Sequence, residues 1–239
     1  MILATDLDGT FLGGDPSQKT ELYQLINNHP SFQLVFVSGR GLASILPLFE
    51  EAFMPSPHYI ISDVGATVVH GYSLQPVEPI QSLIEEKWPG REKINSALEC
   101  VKGLRPQDVP QQRRCSFYYD DKTDLHQLRL VAEELHCDLI ISAGKYADIL
   151  PKGVNKGSSL RMLATQYGFS DDQILVAGDT FNDLSLFETG YKGVVVGNAE
   201  SGLQEVTMHL PDVYRARKDG AGGILEAMQY FSFIRPLRA

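Results

Sequence analysis

The sequence predicts an α/β protein whose parallel sheet is interrupted by an inserted α+β domain. Near both ends of the chain, apolar segments of strand length alternate with amphipathic segments of helix length. This alternation is typical of parallel strands that are connected by helices. Between residues 71 and 150, five prolines break the pattern. With 239 residues, the chain is long enough to form both parts.

The first part of the chain predicts three strands and two helices. The strands are residues 2–5, 32–37 and 59–62, and the helices are residues 17–28 and 43–53. Each strand is a short apolar run, while the helices place apolar residues three or four positions apart. Because strands and helices alternate at short spacing, we expect a Rossmann-like parallel sheet with helices on both faces.

The middle of the chain is predicted to form the insert, with a hairpin-like stretch at 113–119, a helix at 125–135 and a strand at 138–142. The alternation then resumes, with predicted helices at 157–167, 182–189 and 222–231 and predicted strands at 173–177 and 192–196. We therefore expect a core domain made of residues 1–75 and 152–239, and an inserted domain made of residues 76–151.

The composition indicates an ordinary globular protein and narrows its partners. Hydrophobic residues make up 43% of the chain and charged residues 21%, and the net charge is −9. Such an acidic chain is not expected to bind nucleic acid or an anionic membrane, and no apolar run reaches the ~20 residues of a membrane span. The three cysteines are scattered, which favours reduced thiols, and no basic leader precedes the first strand. These features predict a cytoplasmic protein.

Asp6 and Asp8 follow the first predicted strand and are separated by one residue. Alternate residues of an extended segment project to the same side, so the two carboxylates are expected together at the carboxyl edge of the sheet. Such a pair suits Mg²⁺, or a nucleophile beside a group that transfers protons. Taken alone, the Asp-Gly-Thr of residues 8–10 is equally compatible with a plain turn.

Three further polar segments accompany this pair. Residues 38–40 (Ser-Gly-Arg) end the second strand, Lys156 stands at a helix start, and residues 178–183 (Gly-Asp-Thr-Phe-Asn-Asp) follow an apolar strand. An open α/β sheet binds its ligand at the carboxyl ends of its strands. We therefore expect all four segments to meet at one site.

Together, the four segments resemble the motifs of the haloacid-dehalogenase-like phosphohydrolases, and the resemblance covers nearly the whole chain. It implies that Asp6 attacks phosphorus to form an aspartyl-phosphate. Asp8 would protonate the departing oxygen and then deprotonate the hydrolytic water. Ser38 and Gly39 would bind the phosphoryl oxygens, and Lys156 would neutralise charge between the nucleophile and the phosphoryl group.

The same resemblance implies Mg²⁺ as the cofactor. Its protein ligands would be Asp6, the backbone carbonyl of Asp8, and Asp179, with Asn182 and Asp183 holding metal-bound waters or the lysine in place.

The place of the insert, between the second and third motifs, resembles the C2 cap of this superfamily. Such a cap closes over the pocket and contacts the leaving group. Residues 142–151, among others, resemble the sucrose-phosphate phosphatases, which implies sugar contacts from Lys145 and Asp148 and a basic cap residue at Arg114. For these three the alternative is a solvated or structural role. Arg40 contacts the substrate or pairs with a structural carboxylate.

The resemblance implies hydrolysis of a phosphorylated disaccharide, with sucrose 6-phosphate as the expected substrate. Gly9, Ser38, Ala66 and Phe181 depart from the usual residues of the sucrose phosphatases. Mannosylfructose-phosphate phosphatases share the Asp-Gly-Thr form, so one of these, or another sugar-phosphate phosphatase or a phosphomutase, is the first alternative. The alternative without catalysis is a silent sugar-phosphate-binding subunit with a sucrose-phosphate synthase as its partner. The presence of all the expected catalytic residues, Asp6, Asp8, Lys156 and Asp179, disfavours this alternative.

Overall fold

The computed structural model describes residues 1–51, 53–109, 112–142 and 144–234. The strands are β1 (Ile2–Thr5), β2 (Gln33–Val37), β3 (Tyr59–Ser62), β4 (Thr67–His70), β5 (Arg105–Pro106), β6 (Cys115–Tyr118), β7 (Cys137–Ser142), β8 (Tyr146–Pro151), β9 (Ile174–Gly178), β10 (Lys192–Val195) and β11 (Val213–Arg215). The helices are α1 (Pro16–Asn28), α2 (Leu42–Ile45), α3 (Ile80–Glu85), α4 (Arg91–Leu98), α5 (Leu125–Glu134), α6 (Lys156–Tyr167), α7 (Leu184–Phe187), α8 (Ser201–Val206) and α9 (Gly220–Tyr230).

Seven strands form the large sheet, in the order β11-β10-β9-β1-β2-β3-β4. Neighbouring strands are parallel except for β3 and β4, which are antiparallel. In the central strand β1, Ala4 pairs with Val35 on one side and with Val176 on the other. This strand is buried along its whole length, which explains its continuous apolar sequence. Because β1, β2 and β9 run in the same direction, the polar segments after them lie at one edge.

The two faces of this sheet are covered by different helices. Leu34 and Phe36 of β2 pack in one cluster with residues of α1 and α9, whereas Val35 and Val37 pack in another with residues of α6 and α3. This division follows from the alternation of side chains along a strand. Burial on both faces fixes β1 and β2, and therefore the start of the segments that follow them.

The segment 76–151, which we propose as a cap, carries a four-stranded antiparallel sheet in the order β5-β6-β8-β7. One face of that sheet packs on α4 and α5 in a third cluster, which includes Phe117, Leu128 and Ile149. The alternate residues Ser116 and Asp148 are on the other face, towards the carboxyl edge of the large sheet. Helix α3 packs in the first cluster with residues of the large sheet, although it lies beyond residue 76.

The α/β class with a parallel-strand sheet is confirmed, and several elements differ in extent from expectation. The helix expected at 43–53 ends after Ile45 and continues as a 3₁₀ turn, Leu46–Glu50, because Pro47 has no N–H to donate. The hairpin-like stretch at 113–119 contains one strand, β6, which pairs antiparallel with β5 and with β8. Strands β4, β5, β8 and β11 have no counterpart in the sequence-based expectation.

Among the residues that the structure describes, no helix combines the length and the apolar character that a bilayer crossing requires.

Candidate active site

Asp6 lies directly after β1, in the middle of the carboxyl edge of the large sheet. Its N–H donates to the carbonyl of Ala177 at 3.0 Å, so the backbone here still follows the sheet. The chain then leaves the strand in a tight turn, in which the N–H of Phe11 donates to the carbonyl of Asp6 at 3.1 Å. Asp6 is 5% exposed, while the Asp8 side chain in the turn is 59% exposed. One carboxylate is therefore inside the site and the other at its mouth.

Arg40 holds the Asp8 carboxylate from the neighbouring loop. Its Nε donates to Oδ2 at 2.8 Å and its Nη2 to Oδ1 at 2.6 Å, and Nη1 donates to the carbonyl of Ser44 at 3.2 Å. The hydrogen bonds to Asp8 raise the pKa of Arg40, against the opposing effect of partial burial. Arg40 is thus paired with a carboxylate, that of Asp8, and its contact with a substrate stays a prediction.

The loop after β2 presents small polar groups to the same edge. The N–H of Ser38 donates to the carbonyl of Ile61 at 2.8 Å, and the Ser38 hydroxyl accepts from the N–H of Arg40 at 3.1 Å. The carbonyl of Gly39 accepts a hydrogen bond from Nη1 of Arg114 at 2.7 Å. The loop is thus fixed from the sheet on one side and from the proposed cap on the other.

Lys156 is the first residue of α6 and is completely buried. Its Nζ donates to Oδ1 of Asp6 at 2.7 Å, to Oδ1 of Asn182 at 2.8 Å and to Oδ1 of Asp183 at 2.5 Å. An ammonium group has three donors, and all three are used. One lysine therefore joins the segment after β1 to the segment after β9.

The segment after β9 is organised by Asp183. Its Oδ2 accepts from the backbone N–H groups of Asp179 and Thr180, each at 3.0 Å. These bonds fold residues 179–183 into a turn that places Asp179 opposite the first segment. There Oδ1 of Asp179 accepts from the hydroxyl of Thr10 at 2.9 Å.

Burial and mutual repulsion act on these carboxylates. Burial raises the pKa of Asp6; Lys156 opposes this, and the nearby Asp183 adds to it. Burial and Asp183 also raise the pKa of Asp179, to about 6, despite the hydrogen bond from Thr10. For Lys156, burial disfavours the ammonium, but Asp183 and Asp6 outweigh it and raise the pKa above its ordinary value. The site thus holds more negative charge than its one lysine compensates.

The donor set of this site fits a hard divalent cation. Carboxylate oxygens of Asp6, Asp179 and Asp183 lie within 4.8 Å of one another, and all three residues are buried. Oxygen ligands and excess negative charge are what Mg²⁺ requires. Because Asp183 already accepts bonds from Lys156 and from two backbone N–H groups, Asp6 and Asp179 are the better candidates for direct ligands. The family resemblance implies the same two residues.

A cavity of about 320 Å³ opens above these residues, between the carboxyl edge and the small sheet. Its core side includes Asp6, Asp8 and Asn182, and its other side includes Tyr146 and Asp148. The carboxylate of Asp148 is engaged within this wall, because the hydroxyl of Ser116 donates to it. The volume is at the lower end of the range for ligand pockets.

The residues predicted to contact a sugar are distributed unevenly around the cavity. Arg114 and Asp148 line it and lie close to each other, with Nη1 and Oδ1 3.7 Å apart. Lys145 is exposed, and its Nζ lies 4.9 Å from the centre of the Tyr146 ring. Arg40 also lines the cavity, beside Asp8.

Three residues near the site were missed in the sequence. Asp63 follows β3, is 2% exposed and lies 3.6 Å from Arg114. Thr10 fixes Asp179, and Ser116 binds Asp148. Asp63 follows the third strand just as Asp6 follows the first, which was the available signal; the partners of Thr10 and Ser116 follow from tertiary packing.

Comparison with known proteins gives a consistent result. The family model described as sucrose-6F-phosphate phosphohydrolase matches residues 1–232. A glucosylglycerol-phosphate synthase from Pseudomonas anguilliseptica is 51% identical over 235 residues, which are 98% of this chain and 31% of that protein. A mannosylfructose-phosphate phosphatase from Agrobacterium fabrum is 29% identical over 239 residues, with 96% of each chain covered.

Among solved structures, the sucrose-phosphatase from Synechocystis sp. PCC6803, in complex with sucrose and phosphate, is similar to this chain with a TM-score of 0.85. The two are 28% identical, and the similarity covers 97% of this chain and 98% of the other. This chain thus corresponds to the full length of two of these relatives but spans about a third of the synthase.

Proposed function

Because this chain belongs to the sucrose-6F-phosphate phosphohydrolase family, a family of haloacid-dehalogenase-like phosphatases, we propose that it hydrolyses a phosphorylated glycoside through an aspartyl-phosphate on Asp6. The observation that carries the catalytic assignment is the buried lysine. Nζ of Lys156 lies 2.7 Å from Oδ1 of Asp6. An ammonium in that place reduces the cost of ionising a buried carboxylate and offsets charge on an incoming phosphoryl group.

The two carboxylates of the first segment have different tasks in this proposal. Asp6 attacks phosphorus, and the bond from phosphorus to the sugar oxygen breaks. Asp8, at the mouth of the cavity, gives its proton to that oxygen, then takes a proton from the water that attacks the aspartyl-phosphate. In the structure both Asp8 oxygens accept hydrogen bonds from Arg40, so Arg40 has to release one of them before Asp8 can carry the proton that it donates. The products are inorganic phosphate and the free glycoside.

We propose Mg²⁺ as the resident cation, held by Asp6, the backbone carbonyl of Asp8, and Asp179. It would supply positive charge that stabilises the phosphoryl group during transfer. Ser38 and the N–H of Gly39 bind phosphoryl oxygens, while Asn182 and Asp183 keep Lys156 in place.

For the substrate, we favour a phosphorylated glucosylglycerol. The 51% identity to a protein named glucosylglycerol-phosphate synthase supports this choice, because the other named relatives are 27–29% identical. Sucrose 6-phosphate is the second candidate, supported by the family model and by the Synechocystis structure. Mannosylfructose phosphate is the third.

A glycosyltransferase is the expected supplier of this substrate, and a synthase of that kind is the protein partner we propose. The support is that the region similar to this chain forms 31% of a synthase. The three cysteines are free thiols, which is consistent with the cytoplasm as the place of action.

The test is phosphate release in Mg²⁺ from glucosylglycerol phosphate, sucrose 6-phosphate, mannosylfructose phosphate and glucose 6-phosphate. We expect kcat/KM to be at least about 100-fold higher for glucosylglycerol phosphate, which is about 2.7 kcal/mol of differential transition-state binding. Asp6→Asn should reduce turnover by at least about 10³-fold. The control is Asp212→Asn, the same change at an exposed position.

A preference of that size for sucrose 6-phosphate instead would keep the chemistry and replace the substrate. Full activity in the Asp6→Asn protein would remove the nucleophile assignment. Binding of the sugar phosphates without any phosphate release would favour the silent binding subunit.

A further inference from the structure

Arg114 stands just before β6, in the proposed cap, yet its guanidinium reaches the core. It is 6% exposed. Nη1 donates to the carbonyl of Gly39 at 2.7 Å, in the loop after β2. Nη2 lies 3.6 Å from Oδ1 of Asp63, which follows β3, and Nη1 lies 3.7 Å from Oδ1 of Asp148 in β8. One buried cation therefore contacts two core loops and one strand of the small sheet.

Asp63 is a buried carboxylate of the core with one oxygen that lacks a hydrogen bond within the described part of the chain. Its Oδ2 accepts from the hydroxyl of Thr67 at 3.0 Å, while its buried Oδ1 accepts no hydrogen bond from the described residues. The backbone of Asp63 and Val64 adopts φ values of 52° and 58°, a conformation that costs energy for residues with side chains. A buried carboxylate with an unsatisfied oxygen is costly unless a cation lies near it. Arg114 is that cation.

The contact to Gly39 connects this pair to the reaction. Gly39 belongs to the loop proposed to bind the phosphoryl group, and its carbonyl is fixed by Arg114. If the small sheet moves away from the core, the guanidinium leaves both Gly39 and Asp63. The geometry therefore links the position of the cap to the orientation of the phosphate loop.

We propose that Arg114 and Asp63 are positioning residues that hold the cap closed and the phosphate loop oriented when a glycoside phosphate is bound. This rests on the proposed function. In this proposal Arg114 contacts groups of the protein and does not bind the sugar, which other residues of the cavity contact. Asp63 distinguishes a positioning role of Arg114 from a substrate contact. It lines the neighbouring cavity of about 420 Å³ and not the active-site cavity, so replacing it affects the sugar only through Arg114.

The test compares Arg114→Gln, Asp63→Asn and the double variant on two substrates, the preferred glycoside phosphate and p-nitrophenyl phosphate. We expect each single change to lower kcat/KM for the glycoside at least about tenfold more than for the minimal ester, because closure serves the glycoside. The kcat/KM of the double variant should be no lower than that of the less active single variant. The two effects then fail to add by at least about tenfold, which corresponds to a coupling free energy of about 1.4 kcal/mol. The control is Arg129→Gln, at an exposed arginine of α5.

A second measurement does not depend on activity. Small-angle scattering and amide exchange should show a more open molecule and faster exchange at residues 38–41 in Arg114→Gln than in the wild type or in Arg129→Gln. If Asp63→Asn behaves as wild type and the effects add, the proposal is wrong and Arg114 is a substrate contact. Unchanged scattering and exchange would also overturn it. If the wild type releases no phosphate from any ester, the proposed function fails, and scattering alone decides on the pair. Arg114→Lys serves if the glutamine variant does not fold.

Discussion

Asp183 shows how much of the site depends on one side chain that is not expected to touch the substrate. It is fully buried, and its two oxygens accept from Nζ of Lys156 and from the N–H groups of Asp179 and Thr180. Asp183 therefore sets both the lysine and the loop that presents Asp179. An amide cannot accept on both sides, since its nitrogen is a donor.

Asp183→Asn should weaken Mg²⁺ binding about 10–100-fold, the usual cost of losing a group that orients a metal ligand. The amide nitrogen would face either the ammonium or the two N–H groups, so the loop would lose the geometry that holds Asp179. The measurement is phosphate release as a function of Mg²⁺ concentration, beside calorimetric titration with Mg²⁺. Asp171→Asn, an exposed residue before β9, is the control. An unchanged Mg²⁺ dependence would mean that Asp183 does not support the metal site.

At the residue scale, the sequence located groups but not their partners. It predicted Asp6, Lys156 and Asp179 near one another, because each stands beside a strand end or helix start that meets the same edge. It left Arg40 open between two roles, and the contact with Asp8 became visible only when the loops after β1 and β2 were placed. It missed Asp63, whose partner comes from a segment about 50 residues later in the chain.

At the scale of elements, helix α6 is the part whose start matters most. Its N-cap is Asn155, whose side chain accepts from the N–H of Ser158 at 2.8 Å, while the Ser158 hydroxyl accepts from the N–H of Asn155 at 2.9 Å. This reciprocal capping fixes the first turn. Lys156 is in that turn, although a lysine at a helix start is disfavoured by the helix dipole. The N-cap at Asn155 therefore keeps Lys156 in the first turn of α6, a position that the helix dipole disfavours for a lysine.

Asn155→Ala should cost about 0.5–2 kcal/mol of stability, as for other N-cap losses, and should also lower kcat, because the first turn carrying Lys156 loosens. The control, Asp124→Ala, removes the N-cap of α5, which lies away from the site. The Asp124 side chain accepts a hydrogen bond from the N–H of Gln127 at 2.9 Å. This control variant is expected to cost similar stability with kcat unchanged. Chemical denaturation and steady-state kinetics on both variants test this. Equal effects on kcat in the two would show that the α6 cap has no special role in catalysis.

Elements were predicted where apolar pattern and length agree. Strands β1, β2 and β9 are continuous apolar runs, because both faces of the sheet are covered. Strand β8 was missed, since it carries a buried Asp148 and ends at Pro151; only its pairing between β6 and β7 makes it a strand. Local sequence did not contain that information.

At the scale of the whole molecule, the fold gathers carboxylates at one place in a chain that is already acidic, with a net charge of −9. Asp6, Asp179 and Asp183 are buried together, and Lys156 compensates one charge. The metal-free protein should therefore be less stable than its core would allow. Function and stability oppose each other at this edge of the sheet.

Asp179 makes this opposition measurable. Burial, with the charge of Asp183, raises its pKa to about 6, above the 3.8 of a free side chain. The folded protein thus binds this proton more tightly than the unfolded chain, so ionisation of Asp179 lowers stability as the pH rises from about 4 to 6, and the full penalty remains above 6.

In EDTA, Asp179→Asn should be more stable than the wild type at pH 7, with the difference shrinking towards pH 4. The asparagine Oδ1 still accepts from Thr10, so packing is retained. At a Mg²⁺ concentration far above the Kd of the wild type the order should reverse, because losing Asp179 as a ligand weakens the binding through which the cation stabilises the protein. Denaturant unfolding at several pH values, with EDTA or Mg²⁺, gives both comparisons. A wild type that is more stable than Asp179→Asn in EDTA at pH 7 would show that the carboxylate cluster is compensated without a metal.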